Sequence, residues 1–358
     1  MSSLSKNKKL HAVSMQVIET PEGVILKRGA NEVLVAGANA GTAVRIVLDA
    51  TAGSGATLEH IRGLFARSIG SQVDALVKNL LSRRLLVPKD SKTNLPTGRE
   101  SSLDILFWHF DASAEQVMER LNTTRLTVVG VNTISRQLTY SLMASGHRNF
   151  RILDHPQHRN MRFFGEKGRL KEEEWPAALL KPQAWKETMQ SDLGACLIAT
   201  SDFGGQQALC EWNNLCINRN IHFMPVVLKN MIGYVGPMII PGETACYACL
   251  ISRQRTHSAT PESENLVDKA AFDGQRISGY HPSMSSMLGD IACFEFTRFY
   301  GGVLPERKAG RLLEVNLLAG TMTGRTIVKI PRCAACSPLR KISQTDLGAT
   351  LFQNVSSP

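Results

Sequence analysis

Nowhere in these 358 residues does an uninterrupted apolar run approach the ~20 needed to cross a bilayer as a helix. The N-terminus, "MSSLSKNKKLHAVS", is basic but lacks the apolar stretch and small-residue cleavage site of a secretory signal. A cytoplasmic location is therefore expected, with no membrane role, and in that compartment disulfides are disfavoured. There is no internal repeat. A glycine fingerprint is also missing. The segment from Leu126 reads strand, turn, helix, where G-x-G-x-x-G would cradle a phosphate. The chain instead has Gly130 followed by Val131, Asn132, Thr133, Ile134 and Ser135, so two of the three glycines are absent.

What is present includes a strong excess of positive charge, formally +10, and a 43% apolar fraction sufficient for a core. The charge suits nucleic acid, an acidic membrane face or an acidic peptide without choosing among them. The first ninety residues carry twelve basic against seven acidic side chains, a formal +5.

The pattern of the first ninety residues predicts a small unit of three strands followed by three helices. "HAVSMQVIE" alternates as one half-buried strand, and "VILK" and "EVLVA" supply two more. Thr57 is an expected N-cap for the second helix. The third shows Val73, Leu76, Val77, Leu80 and Leu81 at helical spacing, with Ser71 and Asp74 as an expected capping box. This order suggests a winged helix over residues 1–90. A polar stretch from Pro88 then reads as an interdomain linker, and with "LDILFWHF" it makes a linker and docking segment over 91–111.

From 112 to 340 strands and helices alternate. "LTVVG", "FRILD", "ACLIATSD" and "HFMPVVL" are continuous apolar runs, as expected of parallel strands covered on both faces. A doubly wound α/β sheet follows. "MIGYVGPMII" and the stretch from Arg311 to Ile330 add strands expected to be antiparallel. The tail, 341–358, is polar and expected to be flexible.

Two Cys-x-x-Cys pairs stand apart from the other thiols. Cys246 and Cys249 lie in "PGETACYACL", and Cys333 and Cys336 in "PRCAACSP". Two such pairs can place four thiolates around Zn²⁺ in a closed, structural site. Redox pairs or four buried thiols are the other readings. Cys196, Cys210, Cys216 and Cys293 fall within apolar patterns and read as core.

"TVVGVN", "RILDH", "ATSD" and the two cysteine segments together resemble the ThiF/MoeB adenylating family over about 112–340. The resemblance implies that the four cysteines are the family's structural zinc ligands. It also puts Gly130, Arg136, Asp154, Arg159 and Asp202 where nucleotide-binding residues would lie. Val131 and Asn132 add side chains where a phosphate needs close backbone approach, and "DHPQHRNMRFFG" matches the family's Arg and Asn segment loosely. These positions are therefore read as vestigial, with no catalytic residue on the chain and no ATP expected on it.

"GVILKRGANEVLVAGANAGTAVRIVLDA" and "VDALVKNLLSRRLLVP" resemble a PqqD-like element that recognises leader peptides of ribosomally made natural products. The two resemblances together are similar to the leader-binding component of azoline-forming cyclodehydratases. They imply a fold of PqqD-like winged helix followed by a zinc-containing ThiF-like sheet. They also imply partners: a precursor leader peptide, a YcaO cyclodehydratase, a flavin-dependent dehydrogenase and a second copy in a homodimer. The leader would lie between the strand 32–36 and the helix 73–84. Backbone pairing is expected from Val33 and Val35 beside Leu34, and side-chain contacts from Leu76, Lys78, Asn79 and Arg83. Two alternatives remain open at this point. One is a peptide adenylyltransferase of the microcin C type. The other is a winged-helix DNA-binding regulator, although "SQVDALVKNLLSRR" lacks the dense Arg/Asn/Gln face of a recognition helix.

Overall fold

The computed structural model describes residues 8–88, 100–176, 178–188, 192–272, 279–303 and 309–338. The linker as far as residue 99 and the tail 341–358 lie outside them. The chain divides into two compact units, Met1–Val117 and Met118–Pro358.

The first unit contains β1 (Leu10–Ala12), β2 (Gln16–Thr20), β3 (Gly23–Arg28), β4 (Asn31–Ala36), α1 (Ala40–Thr51), α2 (Leu58–Gly63), α3 (Gly70–Ser82), β5 (Leu86–Pro88) and α4 (Ser102–Trp108). β2, β3 and β4 form an antiparallel sheet in that order, and β1 pairs with β5. The single strand expected over His11–Glu19 is thus two strands. Val13 turns into the core between them and its N–H donates to Leu85 O. Val24, Leu26 and Val33 of the sheet pack with Val44 and Val47 of α1 and with Val73, Val77 and Leu80 of α3.

Thr57 caps α2 as expected, its hydroxyl accepting from His60 N–H. The capping box expected at Ser71 and Asp74 does not form. α3 starts at Gly70, so both residues lie inside it, and Asp74 pairs with Arg62 of α2 instead. Residues beyond 99 rejoin the same unit. Glu100 receives a two-pronged bond from Arg28 at 2.6 and 2.7 Å, and Arg28 also donates to Ser14 O. Both side chains of the pair are less than a tenth exposed. Trp108 at the end of α4 lies in the unit's apolar cluster, with the Arg28 guanidinium 4.8 Å from its ring centre.

α5 (Ala114–Thr123) leads into the second unit: β6 (Leu126–Val129), α6 (Thr133–Ala144), β7 (Phe150–Asp154), β8 (Gln183–Ala184), α7 (Trp185–Thr188), β9 (Cys196–Ser201), α8 (Gln206–Arg219), β10 (His222–Lys229), β11 (Ile232–Val235), α9 (Tyr247–Thr256), α10 (Pro261–Phe272), α11 (Pro282–Gly301), β12 (Arg311–Asn316) and β13 (Thr321–Thr326). The sheet order is β13-β12-β11-β10-β9-β6-β7-β8. β10, β9, β6, β7 and β8 run parallel, and β11 to β13 are antiparallel additions, as the patterns suggested. Every residue of β6 and β9 is buried. From β6 the chain winds one way through α6 to β7; from β9 it winds the other way through α8 to β10. Right-handed crossovers therefore put α6 and α8 on opposite faces. α11 packs on α6 so closely that a Cβ at Gly289 would stand 2.6 Å from Ile134 O. Among the described residues no helix is long and apolar enough to cross a membrane.

Two stability predictions follow from buried charge. Glu100→Ala leaves Arg28 unpaired, and we expect a loss of about 3 kcal/mol; Arg28→Met with Glu100→Leu should recover most of it in denaturant titrations. His147, fully buried, sits 5.6 Å from Phe150 and 5.3 Å from Phe296, and burial holds its pKa down to about 4. The unfolded chain takes up this proton from pH 6.5 downward and the native chain does not until about pH 4. Stability is therefore lost as pH falls through that window, and His147→Phe should flatten the pH profile of the thermal midpoint.

Candidate functional site

The two arms of the sheet part between β6 and β9, and there the carboxyl ends of the strands leave the crevice where open α/β sheets bind ligands. Gly130 follows β6 with φ +115°, and a Cβ there would stand 2.7 Å from Thr200 Oγ1 and 2.8 Å from Asn132 Nδ2. The one retained glycine is thus needed for packing inside the protein. Asn132 caps α6: its Oδ1 accepts from Ser135 N–H, and Ser135 Oγ accepts from Asn132 N–H. Its Nδ2 donates to His158 O, Thr200 O and Thr200 Oγ1 at 3.0–3.1 Å. Asn132 is fully buried, and its side chain ties the turn after β6 to the end of β9 and to the loop after β7.

The N-terminus of α6 carries an anion already. Asp202 Oδ2 accepts from Thr133 N–H at 3.1 Å, from Asn160 Nδ2 at 2.9 Å and from the Tyr280 hydroxyl at 2.6 Å. Asp202 is 1% exposed, and its Oδ1 is buried with no hydrogen-bond partner among the described residues. Burial and the neighbouring Asp202 push the Tyr280 hydroxyl far up, so it stays protonated and donates. Orphan N–H groups and the helix dipole favour a negative group at this position. Here the chain supplies that group itself.

The remaining nucleotide positions are engaged with one another or elsewhere. Asp154 at the end of β7 is held by Arg159 through two bonds of 2.7 and 2.8 Å, and the Arg159 guanidinium lies 4.5 Å from the centre of the Phe164 ring. Arg136 turns away to Glu174, donating to its carbonyl at 3.2 Å and standing 3.6 Å from its carboxylate, which also binds Arg162. The structure therefore brings Gly130 and Asp202 together at α6, sets Asp154 and Arg159 beside them through the Val131–Arg159 bridge, and leaves Arg136 in a separate pair. The reading of the sequence missed Thr200 and Tyr280. Tyr280 is distant in sequence from every strand end, and no local pattern marks it.

The four paired cysteines do converge. Cys246 precedes α9, Cys249 lies in its first turn, and Cys333 and Cys336 lie in successive turns after β13. Sγ separations are 3.9 Å for Cys246–Cys249 and 3.6 Å for both Cys246–Cys333 and Cys249–Cys336, and all four sulfurs lie within 4.8 Å of one another. Four sulfurs at ~2.3 Å from a tetrahedral ion stand about 3.8 Å apart, so the set fits Zn²⁺. Three of the residues are buried and Cys336 is half-buried. At Cys333 burial pushes the thiol up, but N–H donors from Cys336 and Ala335 together with hydrogen bonds from the Cys249 and Cys246 thiols bring the net direction down. With an ion held by all four, such a closed sulfur set would leave no open position for substrate. Burial pushes the Cys210 and Cys293 thiols to about 11 and Cys196 to about 12, as expected of core cysteines rather than nucleophiles.

In the first unit β4 pairs with β3 alone among the described residues, so its other edge is free. Gly29 at φ +55° and Ala30 make a two-residue turn closed by Arg28 and Asn31. The closing pair of such a hairpin exchanges both backbone bonds, and the exchange then recurs at every second residue. Val33 and Val35 are thereby committed to Leu26 and Val24. The outward backbone groups belong to Glu32, Leu34 and Ala36, not to the two valines expected from the sequence. Leu34 is 50% exposed. On α3, Lys78, Asn79 and the adjoining Arg83 are exposed and Leu76 is half-buried against the core.

The cysteine geometry makes a direct prediction. The purified chain should hold about one zinc per molecule by elemental analysis. Cys333→Ser with Cys336→Ser should remove it and lower the thermal midpoint by several degrees or more, whereas Cys210→Ser should keep the metal.

No protein-family model matches the sequence, and no curated protein matches it. Solved structures do. E. coli MccB, determined with selenomethionine MccA, superposes with a TM-score of 0.62 at 14% identity, covering 92% of this chain and 99% of MccB. A heterocyclase solved in complex with substrate and cofactor gives 0.57 at 16% identity over 95% of this chain and 41% of its own. The heterocyclase TruD gives 0.58 at 16% identity over 94% of this chain and 44% of its own. The chain thus spans less than half the length of either heterocyclase and nearly all of MccB. At these identities the likeness is one of fold, and the second unit is a mixed α/β body with a large, mostly parallel sheet like that of MccB.

Proposed function

We propose that this protein binds the leader of a ribosomally made precursor peptide and presents it to a YcaO partner. That partner would carry out ATP-dependent cyclodehydration of Cys, Ser or Thr to azolines. The observation that carries the reading is the carboxylate of Asp202 on the N-terminus of α6. A phosphate there would meet a like charge on the same donors and an asparagine side chain in its cradle. The residues do not fit a nucleoside triphosphate, so the ATP-using step belongs to another chain. The four cysteines would hold structural zinc.

In this reading residues 1–90 are a winged-helix, PqqD-like recognition domain, 91–111 a linker and docking segment whose part from residue 100 packs back on that domain, and 112–340 a ThiF-like body. The leader adds as a strand to the free edge of β4, pairing with Glu32 and Leu34, with Leu76, Lys78, Asn79 and Arg83 of the α3 region as the opposite wall. Edge addition supplies main-chain bonds without requiring a particular leader sequence, and the side-chain wall then selects. The excess of basic residues in the first ninety favours an acidic leader. A homodimer, a flavin-dependent dehydrogenase acting after the YcaO step and a cytoplasmic location complete the proposal. Solved heterocyclases of the same fold support it.

The second reading is a peptide adenylyltransferase; MccB, of which the chain covers nearly all, was solved with ATP and with MccA. One experiment separates the two. Labelled synthetic leaders from neighbouring short Cys/Ser/Thr-rich peptide genes are titrated against the full chain by fluorescence polarisation, and pyrophosphate exchange is measured in parallel with peptide and Mg²⁺. We expect leader binding that Leu34→Pro weakens at least tenfold, and no exchange above background. Exchange that Asp202→Ala abolishes would establish the adenylyltransferase instead.

A further inference from the structure

The crevice filled by Asn132 and Asp202 has an open neighbour two strands away. Beyond the carboxyl end of β10, a cleft of about 410 Å³ opens between Gln206 at the start of α8, Ile232 and Tyr234 of β11, and Gln254 and Arg255 of α9. Its size is that of pockets that take small ligands or short peptide segments. Ile232 and Ile251 give it an apolar floor, continued by Pro225, Val227 and Leu250 in a small adjoining space.

Most charges around the cleft are already neutralised. Lys229 stands 3.6 Å from Asp268 and 4.0 Å from Glu264, both on α10. Arg325 of β13 stands 3.8 Å from Glu314 of β12. Arg255 is exposed at the mouth; its charge acts on the Asp268 carboxylate and the Cys210 thiol, but it makes no ion pair within 4.0 Å and no hydrogen bond among the described residues. The side-chain amides of Gln206 and Gln254 are half-buried and make no hydrogen bond there either. The lining groups with no hydrogen bond among the described residues are therefore three primary amides, of Gln206, Asn230 and Gln254, the Tyr234 hydroxyl, the His257 ring and one guanidinium, above an apolar floor. Primary amides match the N–H and C=O of an extended peptide, and a guanidinium matches a carboxylate through two parallel bonds.

We propose that this cleft binds a short extended peptide segment that ends in a free carboxylate at Arg255 and places an aliphatic side chain against Ile232 and Ile251. That the segment belongs to the precursor whose leader pairs with β4 rests on the function proposed above; the cleft's affinity for a peptide carboxylate does not.

The test uses the full chain in equilibrium dialysis against pooled N-acetyl tetrapeptides with a C-terminal valine or leucine. Each peptide is present as the free acid and as the C-terminal amide, and retention is read by mass spectrometry. We expect acids to be retained at least tenfold over amides. Arg255→Glu, a change at an exposed position, should abolish that preference, and Leu34→Pro should leave it unchanged. Equal retention of acids and amides, no retention of either, or full retention by Arg255→Glu would overturn the proposal. Loss of leader binding without loss of this retention would count against the leader reading alone.

Discussion

A carboxylate seated on a helix N-terminus sets what the central crevice can do. One oxygen of Asp202 gathers the first helical N–H of α6, an amide from the loop after β7 and a phenol just before α11. Three segments distant in sequence are thereby tied to the end of β9, at the place where the two arms of the sheet part. The helix dipole and the unpaired N–H groups attract negative charge whoever supplies it. Here the same attraction holds the fold together, and an incoming phosphate would have to displace a buried carboxylate and break three hydrogen bonds.

The zinc-fitting cluster works at a different place and for a different reason. The segment after β13 has little regular structure among its described residues, yet it is brought against α9 through Cys333 and Cys336. The same region joins the apolar cluster that includes Leu209, Trp212, Tyr247 and Leu312. A closed set of thiolates can hold such a segment without a helix or strand to pack, which is the use small metal sites have wherever hydrophobic area is short.

Much of this was legible in the sequence where the signal is local. Continuous apolar runs marked β6, β9 and β10, Thr57 marked the start of α2, and the spacing of the cysteine pairs marked a four-thiol cluster. Elsewhere long-range contacts override the local pattern. Alternation through Val13, Met15 and Val17 looked like one strand, but Val13 is taken into the core and the strand breaks there. Ser71 and Asp74 have the spacing of a capping box, but Asp74 found Arg62. The pairing of Arg28 with Glu100 spans 72 positions, and no window of sequence shows that residues beyond 99 return to the first unit. Tyr280 and Thr200 acquire their roles only when the sheet has formed.

The free edge of β4 shows the limit of burial as a guide. Side chains alternate faces every second residue, and so do hydrogen-bond directions; the two are locked together along a strand, but which edge goes with the core face is fixed only once the strand's neighbour is placed. The burial of Val33 and the half-burial of Val35 therefore do not by themselves say which strand their N–H groups pair with. Turn length decides that. The turn at Pro21–Glu22 is closed by Thr20 and Gly23, which assigns Gly23, Ile25 and Lys27 to β2. The turn at Gly29–Ala30 independently assigns Val24, Leu26 and Arg28 to β4. The two assignments interleave without conflict, and together they leave Glu32, Leu34 and Ala36 facing outward. On the solvent face the added strand would extend the row in which Ile18 pairs with Ile25 and Ile25 with Leu34. A peptide that pairs at this edge therefore meets an exposed aliphatic side chain at the same residue that offers it a backbone bond.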